Sequence, residues 1–283
     1  MSAGAGAAAG ASPGKGAAQP STGVEAPAAD LRVTVVQQPL AWGDPAANRA
    51  AFDAWLAPLA GATDLLLLPE MFTTGFSMDA ARLAEPMDGP SVAWLRAAAA
   101  RLGAVVAGSL IVRDEGHRNR LVWARPDGTL GWYDKRHLFR MAREHEHYVA
   151  GGERRTFEVR GWRVLAQVCY DLRFPVFARN RGDYELAVYV ANWPAARRYA
   201  WSTLLRARAI ENLAYVAGVN RIGSDGQGVE YAGDTVVLDP LGVPLADCGG
   251  AAAVTTVTLS ADALRQHRAR FPAHLDADDF RLA

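Results

Sequence analysis

Short, nearly uninterrupted apolar runs limit what this chain can build. Asp64–Pro69, with four leucines in a row, and Leu186–Val190 are too short for helices and apolar on both faces. They read as strands covered on both sides. Val33–Val36 and Val164–Val168 have the same character. Helical patterns lie between the runs. Ala46–Leu59 carries Phe52, Trp55 and Leu59 on one stripe, Val92–Leu102 is rich in alanine, and Trp201–Ala214 places Leu204, Ala207, Ile210 and Leu213 inward. Further strands are expected at Ala104–Val112, Arg120–Ala124, Leu130–Tyr133, Thr156–Val159, Tyr215–Val219, Thr235–Leu238 and Val254–Leu259. Pro126-Asp127-Gly128 folds one hairpin, and Asp239-Pro240-Leu241-Gly242 makes a second turn. Strand–helix alternation that occurs twice predicts two mixed sheets packed together with helices outside, an α/β fold of four layers in the order α-β-β-α.

No Gly/Pro-rich linker interrupts residues 30–283, so this stretch is expected to be one domain. Residues 1–29 are mostly Ala, Gly, Ser and Pro and read as a disordered tail. The tail has neither the continuous apolar stretch of a secretory signal nor the arginines of a transit peptide. Formal net charge is zero, which gives no footprint for nucleic acid or an anionic membrane surface. No apolar run approaches the roughly 20 residues of a membrane-spanning helix. The two cysteines are too few for a disulfide framework, which points to the cytoplasm.

One residue stands out against this composition. The chain has two lysines, Lys15 in the tail and Lys135, and every other basic residue is arginine. Arginine serves for surface charge, but it does not replace a compact ammonium beside a reacting atom. Two residues at the ends of buried strands are candidate partners. Glu70 ends the leucine run, with Met71, Phe72, Phe76 and Met78 following, and Cys169 ends Val164–Val168. On its own Cys169 reads first as a small buried hydrophobe. The polar Tyr170-Asp171-Leu172-Arg173 that follows breaks the strand sharply, which suits an exposed nucleophile with free backbone N–H groups beside it. Glu70 is either an ordinary strand-end carboxylate or a general base in apolar surroundings. His137, His145 and His147 cluster near the lysine and offer a rival base. No third ligand at suitable spacing makes them a metal site. Cys248 sits in a loop without a partner.

Three segments carry a resemblance: Leu66-Leu67-Leu68-Pro69-Glu70-Met71-Phe72, Tyr133-Asp134-Lys135-Arg136-His137-Leu138-Phe139 and Val168-Cys169-Tyr170-Asp171-Leu172-Arg173-Phe174. In this order they resemble the signatures of the nitrilase (carbon–nitrogen hydrolase) superfamily, over residues 31–260. Residues 139–148, Ala191-Asn192-Trp193-Pro194 and residues 206–212 resemble its omega-amidase branch. Two departures are visible. Gly233-Asp234-Thr235 stands where the family commonly has Gly-x-Ser, and Arg143 stands where small residues are usual.

The resemblance implies a nitrilase-type four-layer sandwich that forms a homodimer. It implies Glu70 as general base, Lys135 as the oxyanion cation and Cys169 as nucleophile, with no metal and no organic cofactor. Glu144 matches the second glutamate, which positions substrate and lysine, and Glu146 is the other candidate. The implied substrate is a small-molecule amide, the terminal amide of a short dicarboxylic ω-monoamide such as 2-oxoglutaramate. Within the same fold the alternatives are a deaminated-glutathione amidase, an N-carbamoyl amide hydrolase or a nitrilase. A binding module without turnover and a redox-sensing thiol are the readings from other classes. The Tyr170 N–H is a candidate oxyanion donor. A substrate carboxylate needs a cation, and Arg173, Arg197 and Arg198 are candidates. Met71, Phe72, Met141 and Trp193 are expected as apolar walls.

Overall fold

The structure, a computed structural model, describes Met1 and residues 27–282. The expected tail over residues 1–29 lies, for residues 2–26, outside the described residues. Pro27 is buried, and the Ala29 carbonyl accepts a hydrogen bond from Trp162 Nε1 at 2.8 Å.

The strands in chain order are β1 Leu31–Gln37, β2 Leu65–Leu67, β3 Val105–Arg113, β4 His117–Ala124, β5 Leu130–Asp134, β6 Thr156–Val159 and β7 Trp162–Val168. They continue as β8 Leu186–Val190, β9 Tyr215–Val219, β10 Ile222–Ser224, β11 Glu230–Ala232, β12 Val236–Leu238, β13 Pro244–Asp247 and β14 Ala253–Leu259. The helices are α1 Pro45–Leu56, α2 Ala80–Leu83, α3 Pro90–Leu102, α4 Glu144–His147, α5 Pro175–Ala178, α6 Arg198–Asn212 and α7 Ala261–Arg270. Asp44 caps α1 by accepting from Ala47 N at 3.0 Å, with Pro45 at the first helical position.

Two six-stranded sheets form, in the orders β14-β1-β2-β3-β4-β5 and β13-β12-β9-β8-β7-β6. Each has a parallel centre, β1-β2-β3 and β7-β8-β9, with antiparallel strands at its flanks. The two-residue period of a strand divides the layers. Val33, Val35, Leu65 and Leu67 face Val164, Ala166, Val188 and Val190 between the sheets. Val36 and Leu66 face outward under Phe52 of α1 and Leu95 of α3, and Leu165, Ala187 and Val216 face Trp201 and Leu205 of α6. This is the expected α-β-β-α order, and it brings the C-terminal ends of β2 and β7 to the same end of the sandwich.

The stripe on α6 differs from the expectation. Trp201, Leu205, Arg208, Ala209 and Asn212 are buried, whereas Ile210 is 53% exposed and Leu204 and Ala207 are only half-buried. Hydrogen bonds turn the helix. Arg208 donates to the Leu172 carbonyl at 2.7 Å, and Asn212 Oδ1 accepts from Asn180 N at 2.9 Å. Two hydrogen-bonded polar residues thus take positions that hydrophobicity alone assigns to solvent. Leu213 is buried as expected, but it lies past the helix in a left-handed conformation.

Candidate active site

β7 ends at Val168, and Cys169 opens a short 3-10 turn, Cys169–Arg173, with φ of +46°. A non-glycine residue in this region is strained and persists only where its surroundings hold it. The holder is Asp171, which is fully buried. Its Oδ2 accepts from Val168 N at 2.9 Å and Tyr133 Oη at 2.8 Å, and its Oδ1 accepts from His137 N at 3.0 Å and lies 2.7 Å from His137 Nδ1. One carboxylate therefore ties the cysteine turn to the segment after β5 that carries Lys135. His137 is engaged in this contact and stacks on Phe174.

Lys135 is 1% exposed, and Glu70 and Glu144 are fully buried. Lys135 Nζ donates to Glu70 Oε1 at 2.9 Å and to Glu144 Oε2 and Oε1 at 3.0 and 3.1 Å. Glu144 begins α4 and also accepts from Phe139 N at 2.6 Å. Glu146 pairs with Arg143 at the surface, so of the two only Glu144 reaches Lys135. Gly151 backs the lysine strand closely, since a Cβ there would lie 2.1 Å from the Asp134 carbonyl oxygen.

The charges follow from this enclosure. Burial alone would lower the Lys135 ammonium, but Glu144 and then Glu70 outweigh it and hold its pKa well above the usual lysine value. Burial raises Glu144, Lys135 pulls it back, and the net direction is upward. The Cys169 thiol is pushed well above the ordinary cysteine range, by burial first and by the Glu70 charge second, with Lys135 only partly opposing. At neutral pH the sulfur therefore keeps its proton and needs a base to become a nucleophile.

Cys169 and Lys135 meet at a cavity of about 240 Å³ walled by Phe76, Met78, Phe139, Met141, Trp193 and, from the β10–β11 hairpin, Tyr231. Arg173 lies over the Trp193 ring at 5.0 Å and Arg197 over the Phe139 ring at 5.3 Å. Both line the cavity, and neither forms a salt bridge among the described residues. Arg198 is bound to Asp234 through two hydrogen bonds of 3.0 and 2.7 Å and lies outside this cavity. Met71 and Phe72, expected as walls, do not line the cavity. Met71 has φ of +40°, which turns the chain after Glu70. Phe72 then packs edge-on to Phe52 at 5.4 Å under the outer helices, and Met71 joins Ala80, Leu83 and Tyr148. Met141 is 78% exposed at the rim.

Sequence reasoning missed two amides. Asn192 N donates to Glu70 Oε2 at 2.8 Å, and its side chain donates to the Glu70 carbonyl. Its position just past β8 was the available signal. Asn119, inside β4, donates to Glu70 Oε1 at 2.8 Å and to Glu144 Oε1 at 3.2 Å, and its one signal was an amide in a strand. At the Gly-x-Thr departure, Thr235 Oγ1 accepts from Asn220 N at 2.9 Å and donates to Asn220 O at 3.1 Å, a pairing that a serine hydroxyl can also make.

The carbon–nitrogen hydrolase family model matches residues 32–269. The chain belongs to the carbon–nitrogen hydrolase family. Among relatives, the hydrolase is 52% identical over 255 residues to the omega-amidase YafV of Escherichia coli K12, covering 89% of this chain and 98% of that protein. It is 36% identical over 226 residues to a 2-oxoglutaramate amidase of Bacillus subtilis, covering 77% and 86%. Among solved structures, XC1258 from Xanthomonas campestris, a superfamily protein with an arsenic adduct in its active site, superposes with a TM-score of 0.89 at 57% identity, covering 90% and 99%. These likenesses place the hydrolase in the omega-amidase branch of the nitrilase superfamily, among enzymes that cleave amides. No helix of the described residues is long and apolar enough to cross a membrane.

Proposed function

We propose that the hydrolase is an omega-amidase that cleaves the terminal amide of a short dicarboxylic ω-monoamide, of the 2-oxoglutaramate type, through a thioester on Cys169. The observation that carries this is the pair of arginines, Arg173 and Arg197, without salt-bridge partners among the described residues, in a cavity walled mainly by apolar side chains and lined also by Cys169, Lys135, Asn192, Asp225 and Gln227. Glu70 takes the thiol proton as Sγ bonds to the amide carbon. The carbonyl electron pair moves onto oxygen, held by the Lys135 ammonium and the Tyr170 N–H in the first turn after the nucleophile. Glu70 returns the proton to nitrogen as the C–N bond breaks and ammonia leaves. Water, deprotonated by Glu70, then attacks the thioester, releases the acid and restores the thiol. Glu144 orients Lys135. A guanidinium binds the far carboxylate, and the apolar walls carry the methylenes between.

The test compares 2-oxoglutaramate with butyramide by ammonia release. A charge-assisted pair contributes about 1.5–3 kcal/mol, so kcat/KM for the carboxylate substrate should be roughly one to two orders of magnitude higher. Arg173→Ala or Arg197→Ala should reduce that preference, and Arg198→Ala should not. Equal kcat/KM for the two amides in the unsubstituted enzyme would refute carboxylate recognition.

We also infer a cytoplasmic homodimer, with both cysteines free thiols. The outer face of α6 and the β12–β13 turn expose Tyr199, Ile210, Leu241 and Val243, and Ile210 lies against Gly242. Ile210→Asp should shift the sedimentation coefficient to that of a monomer. An unchanged dimer would move the interface elsewhere.

A further inference from the structure

Asn119 has no role in the chemistry above, yet its side chain touches both buried glutamates. A directed chain of hydrogen bonds fixes its orientation. Met71 N, in the strained residue next to Glu70, donates to Ser109 Oγ at 2.8 Å. Ser109, whose oxygen accepts that bond, donates its proton to Asn119 Oδ1 at 2.8 Å. The Asn119 amide group therefore presents its NH2 to Glu70 Oε1 and Glu144 Oε1. Ser109 is fully buried and Asn119 is 1% exposed, so water does not compete for these bonds.

The two Glu70 oxygens are then unequal. Oε1 accepts from Asn119 Nδ2 and Lys135 Nζ, whereas among the described residues Oε2 accepts only from Asn192 N. A carboxylate oxygen that already accepts two hydrogen bonds is the poorer place for an incoming proton. We propose that Asn119 is a positioning residue that reserves Glu70 Oε2 as the atom that takes and returns the proton. Asn192 belongs to the same side of the site, since its main-chain oxygen is 4.0 Å from Cys169 Sγ. Asn119 fills Oε1, holds Glu70 and Glu144 on one ammonium and leaves the other oxygen free for sulfur, ammonia and water in turn. The inference rests on Glu70 being the base.

The charged and titratable groups that face Asn119 and Glu70 are Glu144 from α4, Lys135 after β5, Cys169 after β7, Tyr148 after α4 and Tyr231 from β11. None of them replaces a donor to Glu70 Oε1 other than Lys135. The experiment measures kcat/KM against pH for Asn119→Ala, Asn119→Asp and Ser109→Ala, with active sites counted by alkylation of Cys169. Removing a donor to the charged form favours the proton, so the acid limb of the Asn119→Ala profile should rise by about one pH unit. At pH 7, kcat should fall roughly 10- to 100-fold per active site with KM within about threefold, on the scale of a lost positioned donor. Asn119→Asp, which substitutes a third carboxylate, should lose more than Asn119→Ala. Ser109→Ala keeps the amide but releases its orientation. It should shift the profile in the same direction by a smaller amount, and it serves if Asn119→Ala does not fold. A profile that superposes on the unsubstituted enzyme after active-site normalisation, in either variant, would overturn the proposal and leave Asn119 purely structural. Glu70→Gln separates the two ideas. If it retains full turnover, the base assignment fails. If it is inactive while the Asn119 and Ser109 variants keep the normal profile, only this inference fails.

Discussion

Lys135→Arg should lower kcat by at least about 100-fold, the scale of a lost oxyanion donor, although it keeps the charge. Nζ lies within 3.1 Å of three carboxylate oxygens from two directions, and 5.2 Å from the Phe76 ring. A planar guanidinium in that space cannot face Glu70, Glu144 and a carbonyl oxygen together without displacing one of them. Lys135→Met should be worse in a second way. It leaves Glu70 and Glu144 buried with no counter-charge, and breaking a buried pair in this way costs about 3–5 kcal/mol. Steady-state kinetics of the first variant and chemical denaturation of the second check the two claims. Near-normal kcat in Lys135→Arg would reduce the lysine to a generic charge.

Cys169→Ala should abolish turnover, because among the described residues lining the cavity no other is a thiol. The fold should survive, since the sulfur lies at a cavity surface and little packing is lost. Mass spectrometry of the unsubstituted enzyme quenched with substrate should find an acyl group on the Cys169 peptide. Cys169→Gly adds a second readout. A φ of +46° suits glycine, so this variant should be inactive yet unfold at a higher temperature than Cys169→Ala. Turnover in Cys169→Ala at the normal rate would end the thioester mechanism.

The strands were legible because their apolar runs are short and bounded, and Leu186–Val190 was expected with the bounds it has. The hairpin of β10 and β11 was not. Ser224-Asp225-Gly226-Gln227-Gly228 reads as loop, and the three-residue strands on either side carry no apolar run. Asp225 closes that turn by accepting from Gln227 N and Val229 N, which is local chemistry that periodicity does not register. The α6 stripe was misread because Arg208 and Asn212 are buried by partners far away in the chain. Glu70, Lys135 and Cys169 could be picked out because each breaks a local pattern, a charge after leucines, a lysine among arginines, a thiol before a polar turn. Asn119 breaks none strongly, and its partner Glu70 is 49 residues away. Phe72 follows Glu70 by two residues, yet it does not line the cavity. The left-handed Met71 between them sends the two side chains to different layers.

The ionised triad around Nζ also bears on how the barrier is lowered. In the proposed mechanism Glu70 starts as a carboxylate, and Glu70, Glu144 and Lys135 are all enclosed away from solvent. In that mechanism the thiol proton reaches Glu70 as the substrate oxygen becomes anionic, so the net charge of the site is unchanged. One unit of charge moves from the Glu70 carboxylate, which lies against the Lys135 ammonium, to an oxyanion that the same ammonium holds in the proposed mechanism. The surrounding dipoles have little to rearrange during the step, and no ion has to enter or leave. Reorganisation, which is the main electrostatic cost of this reaction in water, is largely removed when the chain folds.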